Sequence, residues 1–148
     1  MKIINIKNKS DYLREYIKLC SLEWGTPKSK DEMNTYVINK EKRILNGDKV
    51  ISILGLINED KLIGFISLFK YENDLKELTP WYATMYVKEE YRKNGYSKIL
   101  NDAILEEARK LGYSKVYLKT ELLNYYEKFG AIYIRDLNDK EKLYYIDL

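Results

Sequence analysis

The segment Tyr91-Arg92-Lys93-Asn94-Gly95-Tyr96-Ser97-Lys98 carries cations at Arg92, Lys93 and Lys98, no acid, and one glycine. It follows a β-like run, Pro80 to Val87, and opens an amphipathic helix pattern, Ser97 to Leu111. A strand, a basic turn and a helix start together suit a diphosphate. The first turn of a helix has unpaired N–H donors and partial positive charge. The turn before it, with Asn94 and Tyr96 inside, can aim further backbone N–H groups inward as an anion nest. Gly95 lacks a Cβ, so it admits a ligand close to the backbone or takes positive φ. Ser97 can present its backbone N–H to phosphate.

The rest of the composition narrows the chemistry. The chain of 148 residues has no histidine and one cysteine. A zinc site is not expected from that set, and His-dependent triads are excluded. Acid–base work falls to Glu, Asp, Tyr, Lys, water or backbone. Cys20 lies in Tyr16-Ile17-Lys18-Leu19-Cys20, which reads as the apolar face of a helix; a buried small hydrophobe is the expectation there. A formal charge of +3 gives no basis for nucleic acid as the main partner. No apolar run approaches the ~20 residues of a membrane span. The N-terminus lacks a signal-peptide core, so a cytoplasmic setting is expected.

The elements that must hold the turn read as follows. Lys2–Lys7 is a first strand, Ser10 to about Glu23 a helix, and Ser29 to about Leu45 a second. Val50–Ile57 and Leu62–Tyr71 form a hairpin around Asn58-Glu59-Asp60-Lys61. A polar loop with Glu72, Asp74 and Glu77 leads to the strand Pro80–Val87. After the helix Ser97–Leu111 come a strand Lys115–Thr120, a short helix Leu122–Phe129, and a hairpin of Ile132–Asp136 with Leu143–Asp147. The expected architecture is α+β: a mixed, mostly antiparallel sheet flanked by helices, with residues 1–148 as one domain.

In element order and motifs the chain resembles the GNAT superfamily of N-acetyltransferases. The family's cofactor motif, Arg/Gln-x-x-Gly-x-Gly/Ala, corresponds to Arg92-Lys93-Asn94-Gly95-Tyr96-Ser97, after Met85-Tyr86-Val87. A later Tyr-Glu-Lys-Leu-Gly-Phe-like segment corresponds to Tyr126-Glu127-Lys128-Phe129-Gly130-Ala131, and some members begin the central strand with Pro-Trp, as Pro80-Trp81 does. The likeness spans the chain but is specific only from about Pro80 to Ala131. Ser97 stands where Gly or Ala is usual. The strand Val116-Tyr117-Leu118-Lys119-Thr120 lacks the Glu that many members carry there.

The resemblance implies a GNAT-like acyl-CoA N-acyltransferase fold with acetyl-CoA as co-substrate and no metal. It places pyrophosphate on Arg92–Lys98 and pantetheine along Met85, Tyr86 and Val87, like an added strand. A backbone N–H near Val87 becomes the oxyanion donor, and Tyr126 the acid that meets the leaving thiolate. The partner is an amine acceptor, a small cationic amine or a peptide N-terminus. The loop acids Glu72, Asp74 and Glu77, together with Trp81, are the candidate acceptor residues. Bland readings stand beside these: a helix-face aromatic for Tyr126, a plain acidic loop, and a core Trp81. A CoA-binding sensor without turnover is the alternative function, kept open by the missing strand carboxylate. A homodimer is also left open.

Overall fold

The computed structural model describes residues Met1–Leu148. Seven strands form one sheet in the order β1-β2-β3-β4-β5-β7-β6. In chain order they are β1 (Lys2–Asn5), β2 (Val50–Asn58), β3 (Lys61–Phe69), β4 (Trp81–Val87), β5 (Lys115–Thr120), β6 (Ile132–Asp136) and β7 (Lys142–Asp147). Every neighbouring pair is antiparallel except β4 and β5. The expected mixed, mostly antiparallel sheet is therefore what forms.

Helices α1 (Ser10–Trp24) and α2 (Lys30–Leu45) lie on one face, and α3 (Tyr96–Lys110) on the other. Each follows from a stripe of apolar residues at helical spacing. Leu13, Tyr16 and Ile17 of α1 are buried against Ile53, Phe65 and Trp81. Leu100, Ile104 and Ala108 of α3 are buried against Ile66, Leu68 and Val116. Helix α2 starts in a capping box: Glu32 N–H donates to Ser29 Oγ at 3.1 Å, and Ser29 N–H donates to Glu32 Oε1 at 2.8 Å. That reciprocal pair satisfies donors that a helix start otherwise leaves open.

Several boundaries differ from the sequence reading by a residue or two, β3 for example ending at Phe69 rather than Tyr71, and three differences have a visible local cause or consequence. The expected helix Leu122–Phe129 is a single 3₁₀ turn, Tyr126–Phe129. Leu122 and Leu123 are exposed and Asn124 has φ of 57°, so the preceding residues bury no face and break helical geometry. Helix α3 starts at Tyr96, one residue early, which makes Gly95 its N-cap. Strand β1 stops at Asn5, where the Asn5 side chain accepts the Lys7 N–H at 3.1 Å. No helix is long and apolar enough to cross a membrane.

Candidate active site between β4 and β5

Parallel β4 and β5 meet at only one pair, Trp81 opposite Tyr117, where Tyr117 N–H donates to the Pro80 carbonyl at 2.9 Å. Beyond that pair the strands part, because β5 stays paired with β7 along its whole length while β4 stays with β3. The gap opens a cavity of about 890 Å³. Its walls include Trp81, Thr84 and Met85 of β4, Lys119 and Thr120 of β5, Tyr16 and Trp24 of α1, Tyr36 and Lys40 of α2, and Tyr126.

The β3–β4 ladder decides which backbone groups face this gap. Lys88 N–H donates to Ile63 O at 2.9 Å, so the next pair, Gly64 with Val87, is a non-hydrogen-bonded one. The amide and carbonyl of Val87 therefore turn away from β3, toward the open edge. The Val87 carbonyl accepts from Arg92 Nε at 2.8 Å. Between Phe65 and Ser67 the register slips: Phe65 faces Tyr86, yet Ser67 faces Ala83. Two residues, Thr84 and Met85, thus oppose one, which defines a β-bulge. Thr84 sits at φ of 51°, an outlier for a β-branched residue. Its hydroxyl bonds the Ser67 hydroxyl and reaches Tyr16 Oη at 3.4 Å, while Tyr16 Oη and Ser67 Oγ are 2.8 Å apart.

The bulge reverses the side-chain parity of β4. Tyr82, Met85 and Val87 pack on the α3 side, and Trp81, Ala83 and Tyr86 on the α1–α2 side. The opening accordingly reaches both faces of the sheet.

The basic turn lies at the start of α3. Lys93 and Gly95 have φ of 66° and 78°. A Cβ at Gly95 would meet nothing within 4 Å, so the glycine serves conformation and ligand approach rather than packing. As N-cap it offers no side-chain acceptor, and the first N–H groups of α3 keep no capping partner. Asn94 instead donates to the Tyr91 and Arg92 carbonyls at 3.0 and 3.2 Å, bracing the turn. Arg92 also lies over the Tyr86 ring at 5.6 Å. Lys98 is tied to Asp102 at 2.7 Å, and Tyr96 packs against the α3-side core. Ser97 is half-buried and Lys93 exposed.

Tyr126 sits on the 3₁₀ turn, edge-on to Tyr82 with ring centroids 5.8 Å apart. Burial, and then Tyr125 nearby, push its phenol up to about 12. It packs against the core and lines the cavity, so the packing and the cleft readings hold together. Trp81 does the same: it is 1% exposed, donates to Leu78 O at 2.9 Å, and forms cleft wall. Cys20 also borders the cavity, with burial raising its thiol to about 12.

The acidic loop does not converge on the gap as a patch. Glu72 lines it, but within reach of Lys119 at 3.5 Å and Lys49 at 4.0 Å. Asp74 and Glu77 are exposed and form none of its wall. The expected loop charge is therefore split by geometry, and Glu72 is already balanced by lysines from other elements. Sequence reasoning missed Glu23, Glu121 and Glu141, all of which line the cavity. It also missed the Tyr16–Ser67–Thr84 contact; no spacing signal marks hydroxyls that meet across three elements. No group of His, Cys, Asp and Glu side chains is arranged to hold a metal ion.

The fold as a whole is shared with solved acetyltransferases. An aminoglycoside 6'-acetyltransferase type Ii superposes with a TM-score of 0.70 at 19% identity, covering 99% of this chain and 97% of that one. The aminoglycoside 6'-N-acetyltransferase from Enterococcus faecium gives 0.69 at 16% identity, covering 99% and 97%. The paia N-acetyltransferase from Thermoplasma acidophilum, solved with coenzyme A, gives 0.60 at 19% identity and covers 100% of both chains. No curated protein matches by sequence. The model of the acetyltransferase (GNAT) family matches residues 12–131. This chain belongs to that family.

Proposed function

We propose that residues 1–148 form one acetyltransferase domain that moves the acetyl group of acetyl-CoA to a primary amine by direct attack on the thioester. The observation that carries this reading is the gap between β4 and β5: outward-facing backbone of β4 meets the half-buried Tyr126 there, and an uncapped helix start lies at its edge. Pyrophosphate sits on the Arg92–Lys98 turn, where Lys93, Gly95, Tyr96 and Ser97 supply backbone donors and Arg92 and Lys93 supply charge. Pantetheine pairs with the free edge of Met85, Tyr86 and Val87.

The amine attacks the carbonyl carbon and negative charge develops on oxygen. The outward amide of Val87, beyond the β4 bulge, is the donor for that oxygen, a role worth roughly 3 kcal/mol in acyl transfer. An alkyl ammonium of pKa ~10.4 must first lose its proton, a penalty of about 4.6 kcal/mol at neutral pH. Glu23, Glu72, Glu121 and Glu141 are the carboxylates on the cavity wall, and they replace the absent strand carboxylate as candidate bases, directly or through water. As the C–S bond breaks, the attacking nitrogen gives its remaining extra proton to a wall carboxylate, directly or through water, and Tyr126 donates a hydrogen bond to the leaving thiolate.

The acceptor is a primary amine, of which small cationic amines and peptide N-termini are the expected kinds. It enters from the α1–α2 side. Cytoplasmic acetyl-CoA is the expected donor pool. Thiol release from acetyl-CoA, measured across an amine panel with mass detection of the N-acetyl product, tests this function. Release without an acetylated amine would leave only a coenzyme-binding role.

A further inference from the structure

Of the non-glycine residues at positive φ, Thr84 alone is β-branched, and it lies at the cleft. Thr84 is β-branched with φ of 51°, inside the β4 bulge. Such outliers persist only where their surroundings over-determine them. Here the surroundings are two hydroxyls. Ser67, fully buried on β3, bonds the Thr84 hydroxyl and also Tyr16 Oη at 2.8 Å. Tyr16, 4% exposed on α1, reaches Thr84 at 3.4 Å. Tyr16 is itself fixed, because its ring stands edge-on to Phe65 at 4.7 Å.

We infer that Tyr16 and Ser67 are positioning residues for acyl transfer: their hydroxyls latch Thr84, and so hold the bulge of Thr84 and Met85 on the cleft wall and fix the side-chain parity of the strand that follows it. This rests on the acetyl-transfer reading above. A regular β4 would pair every residue with β3, and removing the extra residue flips all side chains beyond it to the other face. The latch acts against that slip. It ties the bulge to α1, the helix that walls the acceptor side, so the seat of the acceptor and the donor for the acetyl oxygen are set by one hydrogen-bonded chain. Buried hydroxyl networks of this kind specify a single geometry when every member is satisfied, and no buried side-chain polar atom in the structure lacks a partner.

Tyr16→Phe removes one hydroxyl and keeps the ring. It should lower kcat roughly tenfold or more, short of the ~10²–10³ that losing an oxyanion donor costs. Acetyl-CoA affinity, set largely at the Arg92–Lys98 turn, should stay within about twofold by calorimetry. Thr84→Gly adopts the same φ without a latch. In that background Tyr16→Phe should cost much less, so the two changes are non-additive. Amide exchange at Thr84 and Met85 should quicken in Tyr16→Phe and not in the doubly substituted protein relative to Thr84→Gly. A folded Tyr16→Phe protein with wild-type kcat overturns the inference, as do equal losses in both backgrounds. A wild type that transfers no acetyl group defeats the function and the catalytic part of the latch together. Unchanged exchange at the bulge defeats the latch alone.

Discussion

Tyr126→Phe removes one phenolic hydroxyl and leaves the ring that packs edge-on to Tyr82 at 5.8 Å. What it should cost follows from the environment of that hydroxyl. Burial holds the phenol at about 12, whereas a thiol of the coenzyme kind ionises near ~8.5. Full proton transfer from Tyr126 to the departing thiolate would run uphill by about 3.5 pK units, or ~4.8 kcal/mol. The hydroxyl therefore does better as a hydrogen-bond donor to the sulfur than as its proton source. A hydrogen bond to a charged group is worth ~1.5–3 kcal/mol, so kcat should fall by about 10- to 150-fold. Acetyl-CoA affinity should barely move, because the hydroxyl matters only as charge forms on sulfur. Since Tyr126 stays neutral until pH approaches 12, the ratio of wild-type to variant kcat should be flat from about pH 7 to 10. Rapid-quench single turnovers with a good amine acceptor isolate the chemical step. A kcat within about threefold of wild type in that assay refutes the hydrogen-bond argument. A ratio that collapses near pH 8–9 refutes the raised ionisation of Tyr126.

Gly95→Asp places a carboxylate at φ of 78° beside the expected pyrophosphate, with nothing within 4 Å of the new Cβ; the fold should survive and the acetyl-CoA-induced rise in Tm should vanish in differential scanning fluorimetry. Asp74→Asn with Glu77→Gln should leave KM for a polyamine unchanged, because both side chains are exposed away from the cavity, whereas Glu72→Gln should alter it in steady-state assays. Burial raises Tyr16, Tyr82 and Tyr126 above the ordinary tyrosine value, so the neutral forms stabilise the fold below pH ~10 and that stability declines as pH rises past it; denaturant midpoints between about pH 9 and 11.5 should fall steadily, and a flat series would contradict the burial of these hydroxyls.

Much of the fold is legible in local pattern. The apolar stripes of α1 and α3 and the continuous apolar runs of β2 and β3 are local signals, and the structure builds elements on each of them. Gly95 was readable as a turn residue because positive φ is what glycine permits, and φ of 78° is what it adopts. The β4 bulge was not readable. Thr84 is a favourable strand residue, and only its neighbours Ser67 and Tyr16, 17 and 68 positions away from it in the chain, make positive φ tolerable. The loop acids misled for a related reason: summing charge along Glu72–Glu77 ignores where each side chain goes, and Lys119 and Lys49 approach Glu72 from β5 and the turn before β2 respectively. Leu122 and Leu123 had no surface to bury on and Asn124 left helical geometry, so only the turn that packs Tyr126 against the core formed.

The central claim is acetyl transfer at the gap between β4 and β5, and its most direct measurement pairs coenzyme release with product mass for wild type and Gly95→Asp side by side. Purified wild-type protein, given acetyl-CoA and a panel of polyamines, aminoglycosides, amino acids and short peptides near pH 8, should release free thiol in equal amount to an acetylated amine. Gly95→Asp, folded by circular dichroism, should release neither. Tight acetyl-CoA binding by wild type with no acetylated product from any amine would contradict the account and leave a coenzyme-binding protein in its place.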